Sequence, residues 1–174
     1  MKRVLISILA VLTFVCANAQ DNSHRIGLGA GVMYRNGVDA TLLWEHELKY
    51  HNSYEIFCNA FLRWDKCPDC NAVCSDSFWN TYNIVSLGAM YKPCVIRLRN
   101  SYGSLRVGAS IGINQKTDLL AGIHFGYEQN YALGSGIMFY WQAKVDLTLP
   151  KKDDLVKAGF ALGFKFPVYN KSRH

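Results

Sequence analysis

The chain has 174 residues, of which 50% are hydrophobic and 18% are charged, and its formal net charge is +6. The charged fraction is below the usual value of about 25%, which argues against a disordered chain. The mean hydropathy is close to zero, which argues against a helical membrane protein. The small positive charge does not amount to a polybasic patch, so it predicts no direct nucleic-acid partner.

The N-terminus has the three regions of a secretory signal peptide, which we assign to residues 1–19. Residues 1–3 are a short basic start, residues 4–15 are apolar, and Ala17-Asn18-Ala19 supplies the small residues of a cleavage site. A lipoprotein acylated at Cys16 is the alternative, although Val15 is a poor residue directly before that cysteine. The remaining residues, 20–174, are predicted to form a single β-barrel domain, since no linker or low-complexity segment divides them.

Apolar residues recur at every second position along eight segments, which is the period of a β-strand. Asn36-Gly37 follows the first segment and is a strong signal for a two-residue hairpin. Residues 92–103 are a less regular connection that could extend the strands on either side. The predicted strands are long enough to cross a bilayer when tilted, and they cover residues 23–35, 38–48, 54–64, 79–91, 105–114, 118–128, 137–149 and 156–166.

The two faces of these strands differ in a way that indicates which one points inward. The apolar face contains no Asp, Glu, Lys or Arg, whereas the other face holds most of the glycines. The interior of an eight-stranded barrel is narrow and suits small residues and paired charges. We therefore predict an all-β protein, an eight-stranded antiparallel up-and-down transmembrane β-barrel of the outer-membrane type, with lipid as its partner. A soluble secreted β-barrel or sandwich is the alternative.

Aromatic residues lie at or near the ends of the apolar faces, where the aromatic girdles of membrane barrels occur. They are Tyr34, Trp44, Trp64, Trp79, Tyr91 and Tyr127.

The charged residues of the polar face are balanced in sign, which predicts a luminal charge network. The cations are Arg25, Arg35, Arg63, Arg106, Lys144, Lys157 and Lys165, and the anions are Asp39, Glu45, Glu47, Glu55, Asp118, Glu128 and Asp146. A pore for ions or DNA should carry an excess of one sign. The balance favours a plugged interior over a conducting pore.

Five cysteines remain beyond the predicted signal peptide. Cys67, Cys70 and Cys74 share the longest loop, residues 66–77. A disulfide within that loop is favoured, because exported proteins meet an oxidising compartment. Zinc is the weaker alternative, since the loop has no histidine as a fourth ligand, and a redox pair lacks a thioredoxin-like context. Cys58 falls on the lipid-facing side, and Cys94 is expected at the end of the barrel opposite the loop.

Catalytic motifs are absent from the sequence: it has no phosphate loop, HExxH or nucleophile elbow. His124 shares its face with Ser110, Asp118 and Glu128, but a single luminal histidine near carboxylates is more often structural. We therefore assign no catalytic, cofactor-binding or metal-binding residue and expect no cofactor. An outer-membrane lipid-modifying enzyme is the third hypothesis.

Several segments resemble TraO, a family of small exported proteins of conjugative transposons. The resemblance rests on Leu43-Trp44-Glu45-His46 and on residues 86–91, 104–114 and 157–166. It implies an outer-membrane component of a conjugative DNA-transfer apparatus, with a structural or assembly role and other transfer proteins as partners. The alternative is a free-standing small barrel, porin-like or similar to OmpX and OmpA, with an adhesion or surface-interaction role.

Overall fold

The computed structural model describes residues 23–34, 37–63, 83–114, 119–134, 136–149 and 156–169. Their secondary structure is almost entirely strand, and no helix among them is long and apolar enough to span a membrane. The predicted signal peptide and residues 64–82, which include Trp64, Trp79 and the cysteine-rich loop, lie outside the described residues. The strands are β1 (Ser23–Met33), β2 (Gly37–Glu47), β3 (Ser53–Arg63), β4 (Ile84–Lys92), β5 (Cys94–Arg97), β6 (Ser101–Asn114), β7 (Leu119–Gly134), β8 (Ile137–Leu149) and β9 (Val156–Tyr169).

The strands form one closed antiparallel barrel. The order around it is β4-β3-β2-β1-β9-β8-β7-β6-β5, and β4 also pairs with β6, which closes the ring. Pro93 separates β4 from β5 because proline has no backbone N–H for the ladder; both segments pair with β6 and together occupy one position in the ring. The barrel therefore has eight strand positions, which confirms the predicted fold class.

The connection over residues 92–103 extends the strands on either side, as the sequence allowed: β4 ends at Lys92, β6 begins at Ser101, and β5 lies between them. Two local predictions needed correction. β7 runs to Gly134 rather than ending at Glu128. The pairing of Met33 with Gly37 leaves three residues between β1 and β2, one more than the Asn36-Gly37 signal predicted. Each difference moves the end of a strand. At such an end, hydrogen-bond pairing with the neighbouring strand outweighs the preference of the local turn residues.

The apolar face points outward, as the alternation predicted. On β9 the side chains of Phe160, Leu162, Phe164 and Phe166 are 43–48% exposed, whereas Lys165 is fully buried at 0%. Comparable apolar residues cover the outer face of every other strand. Soluble monomers rarely expose apolar patches larger than a few hundred Å². This surface matches a transmembrane barrel and excludes the soluble, lipocalin-like alternative.

Outward-facing aromatic residues gather near the end of the barrel that carries both the first and the last described residue. Tyr54 and Tyr91 have ring centroids 5.1 Å apart, and Trp141 lies 5.6 Å from Tyr127. The stacked rings of His24 and Trp44 extend this belt. Tyr34 is at the opposite end and is exposed. Such a belt is typical of a barrel edge at a membrane–water interface.

The lumen is filled by side chains. Along β2 the inward residues are Glu47, Glu45, Leu43, Thr41 and Asp39, so charged, apolar and polar residues follow one another along the strand. Two apolar clusters lie inside the barrel. They consist of Leu43, Phe57, Met90 and Tyr140, and of Met33, Phe61, Ile84 and Leu120.

Tyr140 depends on a glycine for its position in the lumen. A Cβ atom at Gly29 would overlap the Tyr140 hydroxyl, and Tyr140 is completely buried. We expect Gly29→Ala to lower the free energy of unfolding by about 1–3 kcal/mol, because overpacking shifts neighbouring atoms. Urea unfolding in lipid vesicles measures this. In a Tyr140→Phe background the cost should shrink, and an equal cost in both backgrounds would contradict the assignment.

Candidate functional site

Six charged side chains meet in the lumen and form the group that we call the charge cluster. Its members are Glu45, Glu55, Lys92, Arg106, Glu128 and Lys165, and each is at most 3% exposed. They project from six different strands, β2, β3, β4, β6, β7 and β9. Three carboxylates face three cations, so the cluster is formally neutral and every charge has a partner, as burial of ions requires.

Each cation of the cluster binds more than one carboxylate. Lys165 Nζ donates to Glu128 Oε1 at 2.5 Å and to Glu45 Oε2 at 2.8 Å. Lys92 Nζ binds Glu45, and it lies 2.8 Å from Glu55 Oε2 and 3.0 Å from Glu128 Oε1. Because the carboxylates share donors, the six side chains act as one network rather than as separate pairs.

Arg106 and two amides complete the network. Arg106 Nη2 donates to Glu55 Oε1 at 2.6 Å, and its other terminal nitrogen binds Gln142. Asn130 accepts a hydrogen bond from Lys165 at 2.8 Å and donates one to Glu128 at 3.0 Å. These neutral partners orient the charged groups.

The charge cluster spans the full width of the lumen. In the ring of eight positions, β2 and β7 lie opposite each other, four steps apart in either direction. Glu45 on β2 and Glu128 on β7 both bind the ammonium groups of Lys92 and Lys165. The bridges therefore join opposite walls, and the side chains close the interior at this level.

A smaller polar group lies nearer the end of the barrel from which β2 starts. Lys144 Nζ binds Asp39 Oδ2 at 2.5 Å across the lumen. Asn59 Nδ2 donates to the same Asp39 oxygen at 3.0 Å and to Thr41 Oγ1 at 2.7 Å. Asp39 of β2 is therefore bound by side chains from β3 and β8.

A third group lies at the opposite end of the barrel. Glu47 binds Arg25, accepts a hydrogen bond from Ser23 at 2.8 Å and contacts His51 Nδ1 at 2.5 Å. The ring of His51 stacks on Tyr102, with centroids 4.6 Å apart. This group fills the end of the lumen beneath the Lys49–His51 turn.

The other predicted site residues are distributed as follows. Lys157 is buried with its Nζ 4.2 Å from the centroid of the Phe61 ring, and Arg63 is half-buried at the end of β3. Arg35, Asp118 and the disulfide candidates Cys67, Cys70 and Cys74 lie outside the described residues. Cys58 is exposed on the outer face, and Cys94 begins β5 at the end away from residue 64.

His124 connects a serine to a carboxylate. Its Nδ1 lies 2.6 Å from Asp146 Oδ1, and its Nε2 lies 2.7 Å from Ser110 Oγ. The carboxylate accepts, so the proton belongs on Nδ1 and Nε2 accepts the serine hydroxyl. The sequence analysis puts His124 on a face with Ser110, Asp118 and Glu128. The structure pairs His124 with Ser110, and the carboxylate that binds it is Asp146. Glu128 belongs to the charge cluster, and Asp118 lies outside the described residues.

Lys92 is the charged member of the cluster that the sequence analysis does not predict. The sequence analysis assigns Lys92 to the irregular connection. In the structure it lies on the inward face of β4, with Ile84, Ser86, Gly88 and Met90. Extending the alternation of β4 by one residue would have found it. Pro93 follows directly and ends the alternation of inward and outward residues, which obscures the inward position of Lys92 in the sequence.

Comparison with solved structures supports the fold. The chain is similar to a major outer membrane protein of Thermus thermophilus, with 11% identity, coverage of 85% of this chain and 100% of that one, and a TM-score of 0.53. It is also similar to the Yersinia pestis outer membrane protein Ail in a phospholipid nanodisc, with 12% identity, 84% and 100% coverage and a TM-score of 0.52. Neisserial surface protein A gives 9% identity, 83% and 94% coverage and a TM-score of 0.52.

No sequence-family model and no curated protein sequence matches the chain. At these identities the likeness establishes the architecture of a small outer-membrane β-barrel. The fold by itself does not determine the function.

Removing one cation from the charge cluster should be costly. Lys92→Met keeps much of the side-chain volume but leaves buried carboxylates without that ammonium, so we expect the free energy of unfolding to fall by about 3–5 kcal/mol. The matched control is Lys49→Met at an exposed position, where we expect a change within about 0.5 kcal/mol. Urea titration in lipid vesicles separates the two, and similar values for both variants would argue against the network.

Proposed function

We propose that this protein is a non-conducting outer-membrane barrel that presents its loops as a contact surface outside the cell. The observation that carries the proposal is the neutral charge cluster that bridges opposite walls of the lumen. A barrel closed in this way offers no continuous polar path for solutes, so its contacts with other molecules must be made at its ends.

The outer face supports a location in the outer membrane. Apolar side chains surround the barrel, and closure satisfies the backbone hydrogen bonds that lipid cannot satisfy. The predicted signal peptide provides the export route that such a location requires. Fold likeness to bacterial membrane and surface proteins from three sources is consistent with this location.

The lengths of the connections support an orientation. Short connections join β2 to β3 and β7 to β8 at the end that also carries the first and last described residues. Residues 64–83 and 150–155 connect strands at the other end. Outer-membrane barrels have short periplasmic turns and longer extracellular loops, so the cysteine-rich loop belongs outside the cell. A disulfide within it would restrict that loop in an oxidising environment.

The neighbours favour a surface role over the conjugation hypothesis. One of the similar structures is named a surface protein, and none of those reported above is a transfer-apparatus protein. The TraO-like role remains a prediction from the sequence segments alone. Neighbouring genes would discriminate between the two: an operon of transfer genes supports the conjugation role, and its absence favours a free-standing barrel.

Planar-bilayer recording tests the closed lumen. We expect the purified barrel to give no steady ohmic current, because the charge cluster blocks the interior at the level of Glu45 and Glu128. The triple variant Glu45→Ser, Glu128→Ser, Lys165→Ser, which removes side-chain volume and keeps fewer bridges, should conduct if it folds. Folding is checked by heat-modifiable migration on a gel. A wild-type channel with steady conductance would contradict the proposal.

Adherence of intact cells tests the contact surface. Cells expressing the protein should bind to a panel of immobilised extracellular-matrix proteins more strongly than cells expressing a variant in which residues 66–77 are replaced by a Gly-Ser segment of equal length. The control replaces residues 48–52, the short connection at the opposite end. Equal adherence of wild type and the 66–77 variant across the panel would refute a contact role for that loop.

A further inference from the structure

The contacts of His124 go beyond what a closed structural barrel requires. Ser110, His124 and Asp146 lie on the adjacent strands β6, β7 and β8, and His124 is the direct cross-strand partner of Asp146. The two hydrogen bonds run in series, 2.7 Å from Ser110 Oγ to His124 Nε2 and 2.6 Å from His124 Nδ1 to Asp146 Oδ1. This is the serine–imidazole–carboxylate order of an activated nucleophile.

Space is kept open beside the serine. Gly122 is the cross-strand partner of Ser110, and a Cβ atom there would lie 2.5 Å from Ser110 Oγ and 3.0 Å from His124 Nε2. Any other residue would therefore crowd both reacting atoms. Ser110 is half-buried rather than fully enclosed.

A small cavity adjoins these groups. Its volume is about 30 Å³, which is room for about two water molecules. Ser110, His124 and Asp146 line it together with Lys157 and the apolar side chains of Phe61 and Leu120. The size limits an acyl group to one or a few carbons, and Lys157 contributes a positive charge to the cavity lining.

We propose that Ser110 and His124 form a nucleophilic site for small carboxylic esters, with Asp146 as the positioning residue. Ser110 Oγ bonds to the acyl carbon while its proton moves to His124 Nε2. The ester C–O bond then breaks, and the departing alcohol takes that proton. Water attacks the acyl-serine, gives a proton to His124 that returns to Ser110 Oγ, and releases the carboxylic acid.

This activity is separate from the surface-contact role, and either can fail without the other. It also differs from the expectation that His124 is purely structural. A structural histidine would hold the strands together but would give Ser110 no more reactivity than another luminal serine.

Methanesulfonyl fluoride, a small sulfonylating probe, tests the site on the folded barrel in detergent micelles. Sulfonylation of Ser110 releases fluoride and adds one sulfonyl group, which mass spectrometry of the intact protein and of its peptides locates. We expect Ser110→Ala to abolish labelling and His124→Gln to slow it by a factor of about 10² or more, as loss of a general base does. Ser104→Ala, at a buried serine of β6 that is not part of the cavity lining, should label like wild type.

Two substitutions of Asp146 distinguish a positioning role from a loss of barrel stability. Asp146→Glu keeps a carboxylate and should retain labelling that Asp146→Asn loses, with both variants showing the heat-modifiable migration of folded barrels. Wild-type protein should also hydrolyse p-nitrophenyl acetate faster than Ser110→Ala. No labelling of the folded wild type, or labelling of Ser110 that His124→Gln leaves unchanged, would overturn the proposal.

Discussion

The interior width of an eight-stranded barrel is the constraint on which the rest of this structure depends. Such a lumen has to be filled by side chains, and any ion placed there needs a partner of opposite sign. Lys165 meets this requirement by binding Glu45 and Glu128, which project from opposite walls. Tyr140, completely buried, packs beside Gly29 and Gly163. Polar and apolar inward residues thus complete one packed interior.

The side chains that fill the lumen also determine which residues form the outer face of the barrel. Since each strand alternates, the residues between the luminal ones face outward, and on β9 these are Phe160, Leu162, Phe164 and Phe166. The same alternation therefore produces a closed lumen and an apolar exterior. A protein of this kind contacts lipid along its sides, which is why the proposed contact role falls to the loops at its ends.

Parity along the chain predicted the fold and the direction of almost every strand side chain, because a period of two is a property of local sequence. It did not predict which inward residues meet. Asp146 reaches His124, whereas Glu128 binds in the charge cluster, and the contact with Asp146 depends on the register between β7 and β8. Lys92 was missed because Pro93 interrupts the pattern where the barrel strand continues into β5. Contacts across the lumen require the tilt and register of all eight positions, which no single segment encodes.

The inside-out arrangement of the strands is tested most directly by spin labels placed one at a time at Val85, Ser86 and Leu87 of β4 in lipid vesicles. Oxygen, which partitions into lipid, should broaden the spectra at the exposed positions 85 and 87 and leave the spectrum at the half-buried, luminal position 86 almost unchanged. Folding of each labelled variant is checked by its migration on a gel before and after heating. The reversed alternation, or no alternation along this strand, would contradict the account.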